Sequence, residues 1–347
     1  MLDAKCVILN HFRENPRAGP LPGVASVLVL VFGCGVSQLV RETPIYAIAG
    51  PTASGKTALG VRLARHVDGE VVNFDSVQIY RGIQLATAKP TEEEKQGVPH
   101  HLIDYVDPNV NYTAADWARD AASKIAEIEG LGKIPILVGG TGFYLRTLRN
   151  PLFESPKTDE AARGRLRALK EERGAEHLHE MLRSKDPAAA AKLFPRDAPR
   201  VMRALEYIEQ TGKLFSEQQP NRSEPPEFAG RIRLFVLNPP REMLYDKINA
   251  RAEGHFAAGL VEEVKQLLAS GVNEMGNALG AHGYRRVCEF LRGERTLESA
   301  VEKSKQDVRN YAKRQLTWFR READAVWLDG FGNEEAAWRL LLAKIEA

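Results

Sequence analysis

The sequence predicts an α/β fold: a P-loop-containing parallel sheet with flanking helices and a helical insertion domain. Three observations carry the prediction. Short apolar runs at 45–49, 71–74 and 134–138 alternate with helical patterns at 56–66 and 113–129, the alternation that buries a parallel sheet between helices. The block Gly50-Pro51-Thr52-Ala53-Ser54-Gly55-Lys56-Thr57 joins the first strand to the first helix and fits G-x-x-x-x-G-K-[ST]. Residues 152–215, rich in Ala, Arg, Glu, Lys and Leu, carry no strand pattern.

Taken in order, residues 1–43 stand apart from the rest. Val24 to Val40 is mostly apolar and follows Arg13 and Arg17, the outline of a signal or an anchor. Ser26, Gly33, Gly35, Ser37 and Gln38 interrupt it, so it falls short of the roughly 20 apolar residues that a span needs. The expectation is an over-extended start or a dispensable tail, with no membrane association. The first part of the core covers 44–151 and opens with the strand Ile45-Tyr46-Ala47-Ile48-Ala49. In the block at 50–57 the glycines let the backbone fold back so that its N–H groups converge on a phosphate. The helix adds its positive end, Lys56 supplies a point charge, and the Thr57 hydroxyl can hold Mg²⁺. Asp75-Ser76 follows the second strand and Gly139-Gly140-Thr141-Gly142 the third. Ligands of parallel sheets gather at the carboxyl ends of the strands, so these three segments should meet at one site.

The insertion is expected over 152–225, punctuated by Ser155-Pro156 and Asp186-Pro187 and closed by a loop from Asn221 to Glu227. A strand at 232–237 then returns to the core. The remainder, 226–347, completes the core with helical patterns at 241–269 and 297–321. On the latter, Val301, Val308, Tyr311, Gln315 and Trp318 trace a face toward the core.

Composition narrows the chemistry. With 347 residues, 44% hydrophobic and 27% charged, the chain is an ordinary globular one, and its net charge of +2 leaves any nucleic-acid contact to local basic patches. Cys6, Cys34 and Cys288 form no C-x-x-C pair, which argues for a reducing compartment and against a cysteine zinc site. His177 and His179 point away from each other on a helix, and no H-E-x-x-H occurs. Asp75, at a strand end facing a phosphate loop, has three readings: a Mg²⁺ holder acting through water, a proton acceptor, or a cap of its own turn.

The block Asp75-Ser76-Val77-Gln78-Ile79-Tyr80-Arg81-Gly82, continuing to Thr87-Ala88-Lys89-Pro90-Thr91, is too particular for a generic NTPase. Together with GPTASGKT at 50–57, PHHLID at 99–104, LVGGTGFYL at 137–145, PRVMRALE at 199–206, AGLVEEV at 258–264 and YAKRQLTWFR at 311–320, it resembles the tRNA dimethylallyltransferases, over about 300 residues and in family order. That family transfers an isopentenyl group to the exocyclic amine of the adenosine immediately 3′ of the anticodon.

The resemblance implies a loop that receives the diphosphate of dimethylallyl diphosphate with Mg²⁺, Thr52 and Ser54 adding contacts. It implies Asp75 as general base, Thr141 beside it, and Arg251 directed at the diphosphate. It assigns the grip on the anticodon stem-loop to Asp75, Ser76, Val77 and Gln78 and to Pro199, Arg200, Val201, Met202 and Arg203. Further basic residues stand at Arg163, Arg165, Arg167 and Lys170, and at Arg309, Lys313, Arg314, Arg320 and Arg321. The chain departs from the family pattern at Ala86, where a glycine is usual, at His282, where an apolar residue is common, and at Val308, where threonine is frequent. The zinc finger of eukaryotic members is missing, which suggests a bacterial-type enzyme; a cytoplasmic monomer is expected. An adenylate isopentenyltransferase acting on free nucleotides would need neither the insertion nor the basic helix. A small-molecule kinase or NTPase would turn over ATP or GTP, and a non-catalytic RNA-binding module would have no use for Lys56 and Asp75.

Overall fold

The computed structural model describes residues 43–153, 155–218 and 223–346. The expected tail, apart from its last residue, lies outside them, as do Cys6 and Cys34. Among the described residues six strands form one sheet: β1 (Ile45–Ala49), β2 (Gly69–Phe74), β3 (His100–His101), β4 (Ile134–Gly139), β5 (Ile232–Asn238) and β6 (Val326–Asp329). Their order is β3-β2-β4-β1-β5-β6 and every pairing is parallel. β1 therefore lies in the interior, flanked by β4 and β5, and the loop that follows it opens at the middle of the sheet's carboxyl edge.

Helices longer than one turn are numbered in order: α1 (Lys56–His66), α2 (Ala114–Gly130), α3 (Gly142–Arg149), α4 (Glu160–Arg173), α5 (Ala175–Lys185), α6 (Ala198–Thr211), α7 (Arg241–Ala257), α8 (Leu260–Ala269), α9 (His282–Leu291), α10 (Leu297–Phe319) and α11 (Glu335–Ile345). β1 is buried on both faces, and its alternation sorts the layers. Ile45, Ala47 and Ala49 meet Trp117, Ile125 and Ile128 of α2, Tyr144 to Leu148 of α3, and Phe319 of α10. Tyr46 and Ile48 meet Leu59 and Leu63 of α1 and Trp338 and Leu341 of α11. Full burial of one such large side chain contributes roughly 1.5–3 kcal/mol. The fully buried Trp117 donates its indole N–H to the Asn73 carbonyl at 2.9 Å and stacks on Tyr144 at 5.0 Å.

Two further helical clusters flank this core. α8 and α9 pack Leu260, Val264, Tyr284 and Val287 against Ile79, Tyr80 and Ile83 of the segment after β2. α4, α5 and α6 bury Leu166, Leu178, Leu182, Val201 and Leu205 among themselves. β3 and β6 fall outside the strand patterns read from the sequence. The helical stretch expected over 241–269 is two helices, divided where Gly259 takes φ 98°. On α10 the buried residues are Ala300, Ser304, Lys305, Ala312, Gln315 and Phe319. Of the five residues expected on its core face only Gln315 is buried, because the others border a cavity or the surface. Among the described residues, no helix is long and apolar enough to cross a membrane.

Candidate active site

The loop after β1 is held in shape by its neighbours. Gly55 takes φ 84°, and a Cβ there would lie 2.9 Å from the Gly332 nitrogen, so a side chain is excluded twice over. The Gly332 N–H in turn donates to the Ser54 carbonyl at 2.8 Å. Ser54 is fully buried and its hydroxyl has no hydrogen-bond partner among the described residues. An unpaired buried hydroxyl costs free energy unless a bound group satisfies it. On the other side the Thr52 N–H donates to Gln315 Oε1 at 2.9 Å, while Gln315 Nε2 donates to the Gly140 carbonyl at 3.0 Å. Gly140 and Gly142 let α10 approach: a Cβ at Gly140 would lie 2.2 Å from Gln315 Nε2, and one at Gly142 2.2 Å from the Trp318 ring.

Three charged side chains converge in front of the loop. Lys56 donates to the Pro51 carbonyl at 2.7 Å and forms no ion pair among the described residues; burial pulls its pKa down to about 8, with Asp75 opposing and Arg251 adding to the shift. Arg251 projects from α7 and has neither a hydrogen bond nor an ion pair among the described residues. Burial lowers its pKa, against the pull of Glu94 and Asp75. A half-buried cation without a counter-ion carries part of the cost of desolvation, and an anionic ligand offsets it. Asp75 Oδ1 accepts from the Val77 and Gln78 N–H groups at 2.9 and 3.3 Å, which fixes the carboxylate. Its Oδ2 has no partner among the described residues.

Thr141 meets the neighbours of Asp75: its N–H donates to the Phe74 carbonyl at 3.2 Å and its side chain bonds to Ser76. Its Oγ1 accepts from the Ser76 N–H at 3.0 Å and donates to Ser76 Oγ at 3.3 Å. Burial, reinforced by Asp75, raises the Tyr311 pKa and keeps that phenol neutral. Two cavities meet here. One, of about 550 Å³, is lined by Gly55, Lys56, Thr57, Lys89, Lys247 and Asn333. The other, of about 350 Å³, is lined mainly by apolar and aromatic groups, among them Tyr80, Tyr144, Ile248, Phe256, Leu260 and Tyr311. Thr52, Ala53, Asp75, Thr87, Arg251 and His255 line both. Burial and the charge of Arg251 depress His255 to a pKa of about 4, so it is neutral at pH 7. The three departures from the family pattern, Ala86, His282 and Val308, all line the smaller cavity, where the His282 ring lies 4.8 Å from that of Tyr311.

The stretch expected to contact tRNA divides. Ser76 and Val77 line the smaller cavity, while the Gln78 amide donates to the Thr87 and Ala88 carbonyls. Pro199 and Arg200 are exposed at the start of α6. Val201 is buried, Met202 packs against the same cluster, and Arg203 bonds to Ser155, the Pro156 carbonyl and the buried Glu206. Val201 and Arg203 thus have their side chains committed within the helical cluster. The basic residues divide likewise. Arg163 pairs with Glu206, Arg165 with Glu209, and Arg309 bonds to Asn249 and Gln306. Arg167, Lys170, Lys313, Arg314, Arg320 and Arg321 are exposed. Sequence reasoning missed Lys247 and Asn333, and took Tyr311 and Gln315 as core. A glutamine at a buried position of an otherwise apolar stripe is the signal that could have found the last.

A parallel sheet with a phosphate loop at its centre, unpaired cations before it and a fixed carboxylate beyond them defines a P-loop protein built to bind and transform a phosphate ester. The chain belongs to the IPP transferase family, whose sequence model matches residues 78–322. It is 45% identical over 292 residues to a tRNA dimethylallyltransferase of Geobacter metallireducens, covering 83% of this chain and 93% of that one. It is 46% identical over 293 residues to the one of Geobacter sulfurreducens, with 84% and 94% covered. Among solved structures, the tRNA isopentenylpyrophosphate transferase of Bacillus halodurans superposes with a TM-score of 0.63 at 38% identity, covering 88% of this chain and 97% of that one. A eukaryotic dimethylallyltransferase described as acting on tRNA gives a TM-score of 0.69 at 28% identity, with 88% and 77% covered.

Proposed function

We propose that this enzyme transfers the dimethylallyl group of dimethylallyl diphosphate to the N6 amine of the adenosine 3′-adjacent to the anticodon in tRNA. The observation that carries the reading is the pair of unpaired, half-buried cations, Lys56 and Arg251, facing the loop, with Asp75 at the seam between a polar and an apolar cavity. The diphosphate lies in the polar cavity, on the N–H groups of 50–57, the Ser54 hydroxyl, Lys56 and Arg251. The allyl group and the adenine meet in the apolar one. The N6 lone pair attacks C1 of the allyl group, the C1–O bond breaks with its electron pair leaving on the diphosphate, and N6 loses one proton. Asp75 Oδ2 takes that proton, and Thr141 holds the turn from which Asp75 acts. The cations and loop dipoles are aimed at the oxygen on which charge grows, so they stabilise the transition state more than the ground state.

Mg²⁺ fits this site as a partner of the diphosphate. Among the described residues no group of three or more His, Cys, Asp or Glu could hold a metal ion, so Thr57 and the phosphate oxygens, with water, would supply its ligands. When bound it would add to the neutralisation of the leaving group. In this reading the enzyme acts as a monomer, in the cytoplasm with its tRNA. Pro199, Arg200 and the exposed cations of α4 and α10 border the RNA backbone, and Ser76 and Val77 border the unstacked adenosine. Incubation with unmodified tRNA and dimethylallyl diphosphate, followed by mass analysis of the nucleosides, tests the proposal. An adenosine heavier by one dimethylallyl group next to the anticodon supports it. Modification of free AMP, ADP or ATP alone, or turnover of ATP, would overturn it.

A further inference from the structure

We infer that Lys247 is a third cation of the diphosphate site, at its outer end; this rests on the reading above. α7 is oriented by its buried residues Leu244, Ile248 and Ala252. That rotation sets Lys247, Arg251 and His255, successive residues at spacing four, along one stripe, and all three line the polar cavity with Lys56 and Thr57. Arg251 lies deep in the cavity, whereas Lys247 is exposed. Its ammonium rests 3.9 Å from the centroid of the Phe331 ring. Phe331 itself is fixed: it is 1% exposed and precedes Gly332, whose N–H braces the loop at Ser54. Lys247 has no carboxylate partner among the described residues, and a cation resting on one ring near solvent gives up little when it turns to a phosphate.

The charge balance gives the stripe its purpose. Asp75 must stay ionised to accept a proton, and it sits close enough to Lys56 and Arg251 to affect both. Lys56, Arg251 and, when bound, Mg²⁺ would neutralise most of the charge of a prenyl diphosphate, and the Asp75 carboxylate beside them offsets part of that neutralisation. Lys247 adds a positive charge at the outer end, where the terminal phosphate lies. Its position predicts a preference for a diphosphate over a monophosphate ester.

Titration with inorganic pyrophosphate and with dimethylallyl monophosphate tests this on the full chain. Lys247→Met keeps the apolar stem over Phe331 and removes only the charge. It should weaken pyrophosphate binding about 10-fold, the low end for a hydrogen bond to a charged group at a cavity mouth, and leave the monophosphate nearly unchanged. Lys247→Arg should restore the preference, which a packing role alone would not require. Thermal scans of both variants establish that they fold. Equal pyrophosphate affinity in the wild type and Lys247→Met would overturn the inference while leaving the proposed function standing. A wild type that does not bind pyrophosphate at all would overturn both.

Discussion

Replacing Lys56 by methionine should stabilise the unliganded protein while destroying its hold on diphosphate. Burial lowers the Lys56 pKa from 10.5 to about 8 in the folded chain. A shift of that size corresponds to roughly 3 kcal/mol by which the charged form is disfavoured in the native state, at 1.36 kcal/mol per unit. Methionine keeps the volume and removes the charge. It also gives up the hydrogen bond to the Pro51 carbonyl, at a cost of about 1 kcal/mol. Because the side chain is not wholly sealed from solvent, a net gain of about 1–2 kcal/mol is expected, or a few degrees in Tm for a chain of this size. The sign with pH follows from linkage. The folded pKa lies below the unfolded one, so the penalty is fully present below pH 8 and is relieved as pH rises from about 8 to 10.5, where only the unfolded chain still binds the proton. The difference in unfolding free energy between variant and wild type should therefore be largest near pH 7 and shrink by pH 10. Denaturant unfolding at both pH values measures it. Pyrophosphate should raise the Tm of the wild type only. A variant less stable than the wild type at pH 7, or a difference that grows with pH, would refute the reasoning.

Other expectations follow from the same geometry. Asp75→Asn keeps an acceptor but cannot take the proton, so single-turnover rates should fall by roughly 10²–10⁴-fold while pyrophosphate affinity holds; a defect cured by high Mg²⁺ would make Asp75 a metal holder instead. Gly140→Ala drives a methyl group into Gln315 and should cost about 1–3 kcal/mol in denaturant unfolding, whereas Gly164→Ala, in open space within α4, should gain up to about 1 kcal/mol. Combined replacement of Lys313, Arg314 and Arg320 by alanine should lower the slope of log affinity for tRNA against log salt by up to about 2, and the paired Arg165 should contribute nothing to it. An unchanged slope returns those residues to a solvated surface.

The parts of the site that a local pattern can specify were legible in the sequence. The strand, turn and helix around 45–66 and the strand end at 139–141 announce themselves within a dozen residues, because glycine, apolar runs and helical spacing each act on the immediate backbone. β3 has only two residues, both histidine, and owes its pairing to the edge of β2 rather than to any strand propensity of its own. The break at Gly259 is a positive-φ turn between two helical patterns in phase, which a periodicity count runs straight through. Lys247 and Asn333 belong to the site only because β5 and β6 continue the sheet beside β1, a fact of topology with no mark in their neighbouring residues.

Gln315 shows how the distant parts become one device. The stripe on α10 serves two surroundings: Ala312 and Phe319 go into packed clusters, while Val308 and Tyr311 face the smaller cavity. Gln315 lies at the seam, 4% exposed, where an apolar side chain would leave the Thr52 N–H and the Gly140 carbonyl without a partner. Its amide has one acceptor and one donor group, and each is spent on one of these two strand-end loops. The loop that holds the leaving group and the turn that holds the proton acceptor are thereby tied to a single rigid helix. Bond breaking at the phosphate end and proton removal at the amine end then occur at a separation that substrate binding does not have to establish, so the binding energy of the diphosphate is left for stabilising the charge that grows upon it.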